Sequence, residues 1–139
     1  MAKLTQEMQD LVTSEFPFLA TADKDGNPQV GPKGSLKVYD DEHLAYVEWT
    51  SKTAYENLKA TGKAAVAVSN KAAGTGYRFE GTAHVYQPGS EEYKAAKEKG
   101  DLGDGTAIVV IDVERIYQLG HVPEAGDLLV EGAPERRGY

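Results

Sequence analysis

Apolar residues recur at helical spacing at the start of the chain and then settle into short runs separated by turns. Leu4, Met8, Leu11 and Val12 share one helical face, Thr5 stands where an N-cap belongs, and Phe16-Pro17 ends the segment. Phe18 to Ala22 reads as a strand, and Asp23-Lys24-Asp25-Gly26-Asn27-Pro28 has the turn chemistry to send it back as a hairpin. The return strand, Gln29 to Val38, is interrupted by Gly31, Pro32 and Gly34, so it should bulge or kink where backbone lies open to a ligand. Leu44 to Trp49 is the next strand. Thr53 and Glu56 then have capping-box spacing, and Gly62 sits at a left-handed C-cap. Lys63 to Ser69 and Tyr77 to Tyr86 alternate as strands. Ser90 caps a third helix, with Glu91 and Glu92 first, Lys97 and Lys99 last, and Gly100 as the stop. Thr106 to Val113 is apolar without a break through Ala107-Ile108-Val109-Val110-Ile111, which suits a strand buried on both faces. Beyond Leu119 the chain turns rich in Gly, Pro and Glu, and Glu131 to Tyr139 reads as a loose tail.

Six or so strands with helices set between hairpins favour an antiparallel barrel with helical insertions over a parallel α/β sheet. A chain of 139 residues fits a single domain, residues 1–139, with 119–139 as a C-terminal extension.

Composition narrows the chemistry. With 22 acidic against 15 basic residues the net charge is −7, which opposes nucleic acid and anionic lipid as partners. No apolar run is long enough to span a membrane, no secretory pattern follows Met1, and a cytoplasmic location is the expectation. The absence of cysteine excludes thiolate metal sites, iron–sulfur clusters and cysteine nucleophiles. His43, His84 and His121 lack metal-type spacing, so no metal is expected. Gly100-x-x-Gly103-x-Gly105 precedes a strand instead of following one and reads as a turn. No residue is singled out as a catalytic acid, base or nucleophile.

The stretch that carries chemistry is Trp49-Thr50-Ser51-Lys52-Thr53, followed by Asn57. It turns a strand into a helix with a cation and hydroxyls at the bend, where free N–H groups and the helix dipole favour an anion. Trp49 is either core or an aromatic wall beside a flat ligand whose phosphate lies on the turn.

Taken in order, Asn27-Pro28-Gln29-Val30-Gly31-Pro32, the strand ending in Trp49, Ser51-Lys52-Thr53-x-x-x-Asn57-Leu58, and Lys63 to Val68 resemble the FMN-binding split barrels of the pyridoxamine 5′-phosphate oxidase-like superfamily, small FMN-binding type. Gly74-Thr75-Gly76-Tyr77, Arg78 and Gly81 add to the likeness. The resemblance implies a mainly β (α+β) fold, a six-stranded antiparallel split β-barrel with Greek-key topology and short flanking helices. It implies a homodimer with FMN at the subunit interface. Carried onto this chain, it makes Lys52 and Thr53 phosphate ligands with Ser51 and Thr50 beside them. Val30, Gly31, Lys33, Gly34 and Ser35 would line the ring and ribityl chain, Trp49 would border the ring, and Asn57 would brace the phosphate turn. Lys33 would also favour anionic reduced flavin.

The full oxidase holds its vitamin substrate with arginines and histidines near the carboxyl end. Here that end reads Gly120-His121-Val122-Pro123 with an acidic continuation, and Arg136 and Arg137 stand without that context. The expectation is therefore an FMN flavoprotein that passes electrons or hydride to an unidentified redox partner or small-molecule substrate. The rival is a non-catalytic module that stores or senses flavin or another flat cofactor such as deazaflavin or haem. A third reading is an interaction protein with an empty barrel.

Overall fold

A computed structural model describes residues 1–131 of the chain. Arg136 and Arg137 lie outside the described residues, as does all of the expected tail but Glu131. The elements run α1 (Gln6–Ser14), β1 (Phe18–Ala22), β2 (Pro28–Pro32), β3 (Lys37–Asp40), β4 (His43–Glu48), α2 (Thr53–Thr61), β5 (Lys63–Asn70), β6 (Thr75–Tyr86), α3 (Glu91–Gly100), β7 (Ala107–Gln118) and β8 (Leu128–Glu131). The structure is thus mainly β, with three helices among the described residues.

All strand pairings are antiparallel, in the order β2-β1-β5-β6-β7-β4-β3. The sheet has eight strands, not six, and among the described residues its path ends at β2 and β3 without closing. One expected strand causes most of the difference. Residues 29–38 fall in two strands, β2 ending at Pro32, and Lys33, Gly34, Ser35 and Leu36 carry the chain between opposite ends of the sheet order. A proline and a glycine break the ladder there because neither suits a strand interior. β7 also runs past the expected Val113 to Gln118. Its one edge faces β6, while the other takes β4 along its first half and β8 along its second. Leu128 to Glu131 is a strand paired with β7, so Glu131, expected to open the loose tail, is instead the last residue of that strand.

Two apolar layers explain the sequence pattern. The larger gathers Met8, Leu11 and Val12 of α1, Leu58 of α2, and Leu19, Leu44, Tyr46, Val66, Phe79, Ile111 and Ile116 from the strands. The smaller packs Tyr93 and Ala96 of α3 with Leu102 against Ala45, Val47, Ile108 and Val110. β4 and β7 are covered on both faces, so the unbroken apolar run in β7 is a doubly buried strand, as its sequence implies. Each fully buried side chain of this size stabilises by about 1.5–3 kcal/mol.

Helix ends follow their local chemistry in most cases. The Thr5 hydroxyl accepts from the Met8 N–H at 3.3 Å, and Ser90 accepts from Tyr93 at 3.0 Å. Gly62 takes the left-handed C-cap at φ 68° and donates to the Leu58 carbonyl at 2.8 Å. At the third helix Gly100 is the last helical residue, and Asp101, at φ 49°, is the left-handed cap. The start of α2 departs from expectation. Thr53 is its first helical residue, Lys52 is the N-cap, and no side chain caps it.

Candidate functional site

The uncapped start of α2 is the seed of the site. Its first helical hydrogen bond runs from the Glu56 N–H to the Lys52 carbonyl at 3.0 Å. Helix geometry leaves the N–H groups of Thr53, Ala54 and Tyr55 with no carbonyl four residues back, and the capping residue supplies an ammonium instead of an acceptor. Anions favour such a position.

Immediately before it, the bend is held by a residue the sequence reading did not select. Glu48, only 2% exposed, turns its carboxylate back under the bend. Oε2 accepts from the N–H groups of Trp49, Thr50 and Ser51 at 3.1, 3.1 and 3.2 Å, and from the Thr50 hydroxyl at 3.4 Å. Ser51 is left-handed at φ 53°. Its hydroxyl lies 2.7 Å from that of Thr106, which in turn donates to the Glu48 carbonyl at 3.1 Å. Trp49 donates from its indole to the Asp104 carbonyl at 3.1 Å, and a Cβ on Gly105 would stand 2.7 Å from the indole. Only glycine fits beneath that ring. The loop is itself pinned by the Tyr93 hydroxyl, which lies 3.2 Å from Asp104 and accepts from the Gly105 N–H at 3.1 Å.

Two clefts meet at Glu48. One, of about 300 Å³, is lined by Pro32, Lys33, Gly34, Ser35, Val47, Glu48, Trp49 and Thr50. The other, of about 170 Å³, is lined by Gln29, Lys33, Glu48, Thr50, Lys52, Thr53, Ala54 and Tyr55. They share Lys33, Glu48 and Thr50. The larger cleft thus joins the kinked backbone between β2 and β3 to the bend, and the smaller one opens on the start of α2. A groove of about 620 Å³ lies at the far end of α2 beside β6, but there the Gln87 amide is committed to the Tyr55 hydroxyl at 2.9 Å. We place the site at the bend, where cation, free N–H groups and kinked backbone coincide.

Lys33 bridges both clefts. Its ammonium stands 3.7 Å from Glu48 Oε1 and 5.1 Å from the centre of the Tyr46 ring. Tyr46 is fully buried, and burial, with the Glu48 charge adding to it, pushes its hydroxyl far above the ordinary phenol range. It stays neutral and contributes a face, not a charge.

The structure brings most of the expected residues together and gives some of them a different task. Lys33, Gly34, Trp49, Thr50, Lys52 and Thr53 line the clefts. Trp49 is 67% exposed, so it is not a core residue. Ser35 faces the larger cleft, but its hydroxyl is tied to the Val47 backbone, accepting at 3.1 Å and lying 3.2 Å from the carbonyl. Ser51 serves the bend through Thr106. Val30 and Gly31 sit on β2, opposite Ala20 and Leu19, with Val30 exposed. Asn57 is buried and reaches the site at one remove. It donates to the Thr21 hydroxyl at 3.0 Å, which donates to Gln29 at 3.0 Å, and Gln29 lines the smaller cleft. Glu48, Gln29, Gly105 and Thr106 were not among the site residues expected from sequence. Their roles arise from contacts across strands and loops.

Comparison with known proteins places the chain among relatives of the same fold. A family model described as pyridoxamine 5′-phosphate oxidase matches residues 4–120. An uncharacterized protein of Methanocaldococcus jannaschii is 36% identical over 139 residues, spanning 94% of this chain and 91% of the relative. The crystal structure of HupZ from Group A Streptococcus superposes with a TM-score of 0.75 at 38% identity, covering 88% of this chain and 99% of that one. A candidate pyridoxamine 5′-phosphate oxidase from Lactobacillus delbrueckii gives 0.74 at 38% identity, over 83% and 93%. An FMN-binding protein from Syntrophomonas wolfei, at 16% identity and a TM-score of 0.60 over 82% and 84% of the two chains, shares the fold. The chain belongs to the pyridoxamine 5′-phosphate oxidase family.

Proposed function

We propose that this protein binds FMN at the joined clefts and acts as a flavin-dependent oxidoreductase or electron-transfer protein. The observation that carries the reading is the uncapped start of α2, with Lys52 as its N-cap, opening on a cleft continuous with the kinked segment before β3. The residues present fit the nucleotide. Lys52 and the N–H groups of Thr53 to Tyr55 would take the phosphate, in accord with the affinity of helix starts for anions. Trp49 would cover one face of the ring, and Lys33, Gly34 and Ser35 would offer the backbone of a segment outside the ladder to its polar edge. Bound flavin supplies two-electron redox chemistry, and the chain binds, orients and shields it. A flavin cofactor is in keeping with the FMN-binding relative named above.

The proposal includes a homodimer with FMN at the subunit interface. Support comes from the aromatic side chains left in water at the larger cleft: Trp49 at 67% and Phe16 at 59% exposed. Phe16 comes to 3.8 Å from where a Cβ of Gly34 would stand, so it borders the larger cleft. Isolated exposed apolar residues are ordinary, but aromatic ones gathered at a cleft mark a contact surface.

The test is to purify the full chain, record its visible spectrum, and identify the small molecule released on denaturation. FMN is expected, with Lys52→Ala weakening its retention in a folded protein. A colourless protein that takes up no FMN refutes the reading, and full retention by Lys52→Ala refutes the phosphate assignment.

A further inference from the structure

We infer that Glu48 is the positioning residue of the phosphate subsite: a buried carboxylate that holds the 49–52 bend in the shape that presents the start of α2, with Thr106 as a second strap. This deepens the proposed function and rests on it. At first sight a carboxylate is the wrong group beside a phosphate, because two anions repel. The geometry resolves the conflict. Glu48 Oε2 is occupied by three backbone N–H groups and a hydroxyl, and Oε1 faces the Lys33 ammonium at 3.7 Å. Its charge is thus spread over donors on one side and met by a cation on the other, while Lys52 stands on the side that the ligand approaches.

What Glu48 secures is conformation. Ser51 is held left-handed, a state that a residue with a Cβ keeps when its surroundings impose it. The donors at 49, 50 and 51 converge on one oxygen, and Thr106 links the Ser51 hydroxyl to the Glu48 carbonyl. Without Glu48 three N–H groups lose their common acceptor, the turn relaxes, and the free N–H groups of residues 53–55 no longer face the cleft in register with Lys52. Glu48 touches no ligand in this account.

The phosphate contribution can be isolated by comparing FMN with riboflavin, which lacks the phosphate, through flavin-fluorescence titrations of the full chain. The unaltered protein should bind FMN more tightly than riboflavin. Glu48→Ala should cut that preference by about tenfold or more, as expected on losing charge-assisted hydrogen bonds to one group. Glu48→Gln keeps a carbonyl oxygen for the same N–H groups and should hold the preference within about threefold of the unaltered value. An undiminished preference in Glu48→Ala overturns the inference. Equal loss in Glu48→Gln also overturns it, because charge and not geometry would then be the cause. If Glu48→Ala does not fold, Thr106→Val decides: a lowered preference supports the role and an unchanged one refutes it. Should the unaltered protein bind riboflavin and FMN equally, the phosphate assignment itself fails, and binding of neither removes the proposed function.

Discussion

The Lys33 ammonium and the Glu48 carboxylate meet 3.7 Å apart at the junction of the two clefts, one side chain 20% exposed and the other 2%. That relationship changes what Lys33 does. Read from sequence alone it is a free cation that favours anionic reduced flavin; in the structure much of its charge is spent on Glu48. We predict that Lys33→Met destabilises the ligand-free protein by about 1–2 kcal/mol, less than a fully buried pair would lose because Lys33 reaches water. Urea denaturation of the two proteins measures it, and an unshifted midpoint contradicts the pairing.

Trp49 is the chain's sole tryptophan, exposed and anchored by its indole N–H to Asp104. Its emission therefore reports on the larger cleft alone. Titration with FMN should quench it, and Gly105→Ala, whose methyl would press on the Glu48 carbonyl and Val47 at 2.4 Å and on the indole at 2.7 Å, should weaken FMN binding by about tenfold or more. Emission unchanged at saturating FMN would remove Trp49 from the site.

β6 and β7 shift register between Glu80 and Gly81, and there the Gly81 backbone lies against the Asp112 carbonyl with no room for a Cβ. Gly81→Ala forces the central strands apart. A loss of about 3 kcal/mol or more, or failure to fold, is expected by denaturant titration.

Asp40 gives the protein an acid-sensitive element. Burial raises its pKa, but hydrogen bonds from Lys99 at 2.8 Å and His43 at 2.6 Å outweigh that and hold the carboxyl at about 2, below its ordinary 3.8. A depressed folded-state value stabilises above the unfolded pKa and is lost as pH falls from 3.8 toward 2. Stability should therefore drop by about 1–2 kcal/mol across that window, after allowance for partial exposure. Asp40→Asn should flatten that part of the curve, and an identical acid limb in the variant would contradict the assignment.

Local chemistry made much of this legible in advance. The Thr5 and Ser90 caps, the Gly62 stop, the hairpin at Asp23 to Pro28 and the buried run in β7 follow from residues within a few positions of each other. Failures came where partners are distant. Residues 29–38 read as one kinked strand because sequence shows the breakers Pro32 and Gly34 but not that the halves pair with β1 and β4 at opposite ends of the path. β7 was expected to end at Val113 because Glu114 and Arg115 break the apolar pattern; Arg115 is in fact buried, with Glu80 and Glu131 near its guanidinium. Thr53 and Glu56 have capping-box spacing, yet the helix begins one residue earlier than that box requires, with Lys52 as its N-cap, and its uncapped start is what opens the site. Glu48 sits in an apolar strand with no neighbouring signal, since its partners appear only once the chain bends back over it.

The measurement that bears most directly on the central claim is a crystal structure of the full chain with FMN bound. The account predicts the phosphate against Lys52 and the N–H groups of Thr53 to Tyr55, with the ring beside Trp49. Density for the phosphate at any other position, or clefts that stay empty at saturating FMN, would contradict it.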